Sequence, residues 1–508
     1  MKKIFLLISI LAGFMFTACD MDKAPIGSLD DKNAIENPTD LWKARNGIYN
    51  NMRSFATGGY VYYTDIQMDQ FIGLTINGNQ NGVLAGGTIL SNNSSIENVW
   101  AACYSNIADA NYLLGRAEAL LEKGGWTDEE TLDIERYIAE TKFARAWYYS
   151  YLLDHFCASY TPANANTPNS GVPIVTIFNP SGDLNSYPGR STQAEVYALI
   201  DQDLADAYAG LSAYEAFDNS GIQPMAMYVN TNVIIALQSR LALLRQDWST
   251  AIQKANQLIN SGVYTLANTS NYTQLWLNDN SDELIFRPIS TNTELGISSI
   301  GGAYIDANPE MAYYIPSYTT YQYYATATDQ RFKAFFKVAS LSANGTKYQA
   351  YVFNKYPGNP ALQQGTAINL MNMGKPFRLS ETYLILAEAS YESGDEATAN
   401  SALNTLRSNR IMKYASANYT GLELRDQIRA ERTKELIGEG FRMSDLRRWG
   451  LGFERDGEYP LNPAAVEIFK TVDVQVSYIP GDHRYVWPIP STEMENNPQL
   501  KGEQNPGY

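Results

Sequence analysis

Apolar residues recur every three to four positions over much of this chain, the spacing that lines one face of an α-helix. Leu41, Ala44, Ile48 and Met52 do so over 41–53, with Thr39 and Asp40 as the expected cap. Val99, Cys103, Ile107, Ala110 and Leu114 predict a helix over 98–123, and Tyr137, Thr141, Ala144, Tyr148, Tyr151 and His155 predict one over 131–156. Another is expected over 192–211. Two close pairs follow, 233–245 with 248–260 around Gln246-Asp247, and 383–393 with 396–408 around Gly394-Asp395. In the last pair Leu386, Ala387, Ala399 and Leu406 stand at about the spacing of small packing residues in tetratricopeptide (TPR) units. The pairs are therefore read as TPR-like hairpins without a regular solenoid.

Two regions break the pattern. Residues 55–95 are dense in glycine and asparagine (GLTINGNQNGVLAGG) and carry Tyr60, Tyr62, Tyr63 and Phe71, which predicts an irregular loop bearing aromatics. Residues 264–375 are rich in Tyr, Asn, Gly and Thr, with strand-like runs LIFRPI and YQAYVFNKY. Helices of matching character flank this second region, so it reads as an insertion within one domain over 39–508. Residues 24–38 have the polar, Pro- and Gly-containing composition of a tether.

Composition narrows the function. A net charge of -16 repels nucleic-acid phosphate, and two histidines in 508 residues leave little material for His-based metal sites or triads. NDNSDE has too few correctly spaced oxygens for an EF-hand, so no cofactor is expected, with a structural calcium left open. Thirty-six tyrosines supply flat apolar faces with a hydrogen-bonding tip, suited to helix packing and to polar ligands alike. At the N-terminus, Lys2 and Lys3 precede an apolar run over 4–16 and the small residues Thr17-Ala18, the pattern of a signal peptide over 1–18. FTAC resembles the lipobox of bacterial lipoproteins, which implies cleavage before Cys19, lipidation of its thiol, and an anchor and tether over 19–38. No later run is apolar enough to span a bilayer, so the lipid is the expected membrane contact. Cys103 and Cys157 fall in helical patterns and read as buried free thiols.

The most charged stretch is IRAERTKELIGEGFRMSDLRRWG, 428–450. Glu431, Glu435 and Glu439 recur every four residues, a row that repels itself by a few tenths of a kcal/mol per pair unless arginines offset it. Arg432 and Arg442 stand three positions from Glu435 and Glu439, the spacing of helical neighbours. The stretch is read as an ion-pair brace that orients Phe441 and Trp449 into the body, not as a catalytic carboxylate pair. Trp276, between Leu275 and Leu277, reads as core.

RAERTKELIGEGFRMSDLRRWG and the closing YVWPIPSTEMENNPQLKGEQNPGY resemble the C-terminal signature of the SusD/RagB family of Bacteroidetes outer-membrane lipoproteins. LWKARNGIYNNM, ENVWAACYSNIADANYLL, ETKFARAWYYSYLLDHFC and FRLSETYLILAEASYESGD extend the resemblance in the family's order. It implies a mainly α fold: TPR-like hairpins in a right-handed scaffold, large irregular loops and a few short strands. It also implies a cell-surface, lipid-anchored glycan-binding protein that delivers oligosaccharides to a SusC-like TonB-dependent transporter and is not an enzyme. The family's starch-binding member builds an aromatic arc from two loop regions. Here the first offers Tyr62, Tyr63 and Phe71 with Asn77 and Asn79, and the second, ahead of Asp329 and Arg331, offers Tyr304, Tyr313, Tyr314 and Tyr318. The tryptophans of that arc are absent, which puts starch itself in doubt. Flat side chains beside amides also suit an extended peptide, and acids are abundant enough for a two-carboxylate glycoside hydrolase, so these stand as the alternatives.

Overall fold

The computed structural model describes residues 34–74, 78, 81–343, 345–366, 368–455 and 476–508. The signal peptide and Cys19 lie outside the described residues, as does most of the tether. Helix α1 (Pro38–Phe55) begins earlier than its periodicity predicts, because Asn37, not Thr39, caps it: the Asn37 carboxamide accepts from the Asp40 N–H at 3.1 Å and Pro38 opens the first turn. Residues expected to be irregular are partly regular, as α2 (Gly59–Gln67) and strand β1 (Phe71–Gly73). The long helices α3 (Ser94–Lys123) and α4 (Asp128–Phe156) follow, then α5 (Gln193–Asp218), which runs past its predicted end. Both α4 and α5 start on a capping box, Thr127 with Glu130 and Thr192 with Glu195, which satisfies two free backbone N–H groups at once. Helix α5 lies close on α4 because Gly210 has no side chain: a Cβ there would meet Ala139 Cβ at 3.0 Å.

The hairpins are α6 (Thr231–Leu244) with α7 (Trp248–Asn260), and α9 (Leu379–Glu392) with α10 (Glu396–Ser408), and the six-residue helix α8 (Gln330–Phe335) lies between them in the chain. Helix α9 packs on α7 as well as on α10, and α11 (Gly421–Glu435) closes on α9. Ala387 and Ala399 are fully buried with Ala242, Ala251 and Ala255, so these helices approach on small residues as the TPR-like spacing predicts. A larger core joins α1, α3, α4, α5 and α6 to the C-terminal Trp487, Ile489 and Leu500. Each large apolar side chain buried there contributes about 1.5–3 kcal/mol.

The insertion has a core of its own, built on Phe71, Tyr272, Trp276, Tyr304, Phe335 and Phe353. Its strands form two-stranded ladders: β2 (Leu284–Phe286) with β6 (Phe377–Arg378), and the hairpin of β4 (Phe336–Ala343) and β5 (Thr346–Phe353). A third ladder pairs β1 with β3 (Tyr314–Pro316), tying the early aromatic stretch to the insertion.

The charged 428–450 stretch is a brace, with different partners from those its spacing suggests. Arg432 pairs with Asp445 at 2.7 Å and Arg442 with Asp69 at 2.6 Å, not with Glu435 and Glu439. The glutamate row is neutralised from elsewhere. Glu431 accepts from Arg331 and Arg407, Glu435 from Arg331, Arg378 and Arg410, and Glu439 from Arg378 and Lys355. Burial opposes ionisation of all three carboxyls, and the adjoining guanidinium and ammonium groups more than offset it, so all three are held below the usual carboxylate range. The helix ends at Glu435, so Glu439 lies on the turn beyond it, where Gly438 and Gly440 take left-handed φ of 75° and 83°. This brief non-helical link lets α12 (Arg442–Arg448) turn back onto α2.

Candidate functional site

The β1–β3 ladder sets Phe71 opposite Pro316, Ile72 opposite Ile315 and Gly73 opposite Tyr314. Leu74 N–H continues it to the Tyr313 carbonyl at 2.8 Å, and Ser317 N–H reaches the Gln70 carbonyl at 3.0 Å. Two aromatic stretches some 240 residues apart in the chain are thereby brought together. Three of the expected ligand-binding residues then turn out to be core. Phe71, Tyr304 and Tyr314 are buried, with Phe71 4.8 Å from Tyr304 and 5.0 Å from Phe353, and Tyr304 4.7 Å from Phe353. Their rings interlock in edge and tilted contacts that stabilise the insertion and leave no face open to a ligand.

Four others keep part of their surface. Tyr62, Tyr63, Tyr313 and Tyr318 are half-buried, the first three packed against that core. Tyr62 meets Tyr63 edge-on at 4.7 Å and Tyr304 at 6.3 Å. The Tyr313 hydroxyl donates to Asp306 Oδ2 at 2.5 Å, and that hydrogen bond holds the Asp306 carboxyl below the usual range. Asn77 and Asn79 lie outside the described residues.

Sequence reasoning passed over a neighbouring group. Tyr321 stands 4.9 Å from Tyr351 with planes tilted by 31°, and Phe332 lies 5.4 Å from each. All three are half-buried. Partial burial, then the hydrogen bond with Tyr351, pushes the Tyr321 hydroxyl up to about 12. The signal was present in YQAYVF: Tyr351 alternates with buried Ala350 and Val352, so strand periodicity points it outward. Trp276 is fully buried, as expected of a core residue. Among the described residues no cluster of metal-ligating side chains occurs, and no helix is long and apolar enough to cross a membrane.

The whole chain shares this design with known proteins. A family model described as "SusD family" matches residues 309–508, and one described as "Starch-binding associating with outer membrane" matches residues 28–219. The two stretches do not overlap and together take in well over half of the sequence. The chain belongs to the SusD family. Its similarity to SusD-like protein P2 of Formosa agariphila is 22% identity covering 100% of both chains. A SusD superfamily protein from Bacteroides thetaiotaomicron superposes with a TM-score of 0.76 at 25% identity, over 93% of this chain and 100% of the other. A putative sugar binding protein from Bacteroides vulgatus gives 0.73 at 25% identity, over 94% and 99%. The mainly α architecture with short isolated ladders is thus the SusD fold.

Proposed function

We propose that this SusD-family chain captures an oligosaccharide on the aromatic surface where the two stretches meet and delivers it to a SusC-like TonB-dependent transporter. The observation that supports this reading is the β1–β3 ladder, which joins the two aromatic stretches, with half-buried Tyr62, Tyr63 and Tyr313 packed on the aromatic core beneath. A sugar ring offers an apolar C–H face for such rings and a rim of hydroxyls for neighbouring polar groups such as Asp306. Burial of the base fixes the platform before the ligand arrives, which reduces the ordering entropy lost on binding. The sugar-binding description of the Bacteroides vulgatus neighbour and the starch-binding description of the N-terminal match support the ligand class. The protein acts by binding, without chemical conversion, from the outer membrane to which lipidated Cys19 holds it facing the cell exterior.

The test is retardation in glycan-containing gels. Tyr62→Ala with Tyr318→Ala should abolish retardation by whichever glycan slows the parent chain, at unchanged fold by circular dichroism. Full retention in that double variant would refute the platform. Tyr304→Ala is the contrasting case: it should lower stability by about 3–5 kcal/mol, as expected for a large aromatic removed from a core.

A further inference from the structure

A cavity of about 120 Å³ lies among α1, α2, α4, α6 and α12, with Tyr60 and Val61 of α2 in its wall and Tyr62 outside it. Its walls include Phe55, Trp147, Tyr151 and Phe441, with Arg432 and His155 among the polar groups. The volume is close to the roughly 150 Å³ that accepts a benzene ring in an engineered protein cavity. The lining charges are already matched. Glu439 is held by Arg378 and Lys355, Asp445 by Arg432 and Arg448, Asp154 by Arg447, and Arg240 by Glu381. An anion therefore gains no net attraction here.

Two hydrogen-bonding side chains of the wall bear on what it could hold, Arg432 and His155. Arg432 reaches Asp445 only through Nε, and its Nη1 is buried with no hydrogen-bond partner, an arrangement that is costly for a charged group. His155 Nδ1 lies 2.9 Å from the Tyr151 carbonyl oxygen, which can only accept, so Nδ1 carries the hydrogen. Burial lowers the His155 pKa and keeps the ring neutral, which leaves Nε2 as an acceptor. Arg432 thus asks for an acceptor and His155 for a donor, and a hydroxyl can be either. From the orphaned guanidinium edge, the imidazole acceptor, the balanced charges and the aromatic walls, we propose that this cavity is a second binding site, for a single neutral sugar ring.

This site does not depend on the loop platform, and one experiment separates the two. D-glucose, D-galactose and D-xylose are titrated up to roughly 50 mM against the full-length mature chain, followed by saturation-transfer NMR and Trp147 fluorescence. At least one sugar should bind with millimolar affinity. Leu244→Trp, which fills the cavity from α6, should weaken that binding at least about tenfold, while Tyr62→Ala with Tyr318→Ala leaves it unchanged. Should the tryptophan variant not fold, Arg432→Lys, which keeps the charge and removes Nη1, should weaken binding about threefold or more. Co-crystals should show the ring between Trp147 and Phe441. Absence of binding by all three sugars, parent-level binding in Leu244→Trp or Arg432→Lys, loss of binding in the tyrosine double variant, or water alone in the cavity would each overturn the proposal.

Discussion

Glu435 is the centre of the buried brace, and Glu435→Gln isolates its charge with almost no change of shape. Its carboxylate accepts from Arg410 Nε and Nη2 at 3.0 Å each, from Arg378 Nη1 at 3.0 Å and from Arg331 Nη1 at 3.2 Å. Each such charge-assisted bond is worth about 1.5–3 kcal/mol net, yet the four do not add. Arg378 and Arg410 also hold Glu283, and Arg331 also holds Asp329 and Glu431, so every guanidinium keeps a counter-charge in the variant. The expected loss therefore stays below the about 3–5 kcal/mol of a pair broken to leave an uncompensated charge, and is set at about 1.5–3 kcal/mol, still a large part of a typical folding free energy of about 5–15 kcal/mol. Urea unfolding followed by near-ultraviolet circular dichroism reads it directly, because Arg378 lies 5.1 Å from the Trp276 ring. The carboxyl is held well below the usual range, so its contribution is fully present above the ordinary glutamate pKa of about 4.3 and is lost as pH falls below it. The variant should accordingly lose part of the parent's acid sensitivity. A loss below about 1 kcal/mol, or an unchanged acid profile, would show that the remaining carboxylates suffice and that Glu435 is not the centre of the brace.

Asp65 should show the opposite pH dependence. It is fully buried, Oδ2 accepts from Gly440 N–H at 2.9 Å, Oδ1 has no partner, and burial pushes its pKa up from 3.8 to about 7. Its contribution is full below about pH 4 and is lost as pH rises through about 7, an upper bound of about 4 kcal/mol, so Asp65→Asn should flatten the stability profile between pH 5 and 8; parallel profiles for the two proteins would refute this. Cys103 and Cys157 are buried and unpaired, and burial pushes both thiols up, Cys157 to about 11, so an aromatic disulfide reagent should label neither until denaturant is added, and rapid labelling of the native chain would contradict their placement.

Helical periodicity carried most of the scaffold into view because helices report their buried face locally. The stripe Val99, Cys103, Ile107, Ala110 and Leu114 is buried or nearly so along α3, and Ala387 and Ala399 meet where the TPR-like spacing places them. What periodicity did not supply was the partner of a charge. Arg432 and Arg442 stand at the helical interval from Glu435 and Glu439, yet the chain leaves the helix at Glu435 and turns through Gly438 and Gly440, so the interval no longer measures distance. The partners that matter, Arg331, Arg378 and Arg410, come from segments 25 to 104 residues away.

The proposed binding surface was harder to read for a related reason. Aromatic density in the two stretches correctly marked segments that meet, but density does not say which face of a ring is used. That is decided by the β1–β3 register and by the second core beneath it, which claims Phe71, Tyr304 and Tyr314 and leaves Tyr62, Tyr63, Tyr313 and Tyr318 partly open. A platform of this kind needs both classes, since an exposed tyrosine without a packed neighbour would lose its rotamer freedom on binding. On the proposed reading the buried rings hold the half-buried ones still, and mutation of either class should weaken the proposed capture, the first through stability and the second through contact.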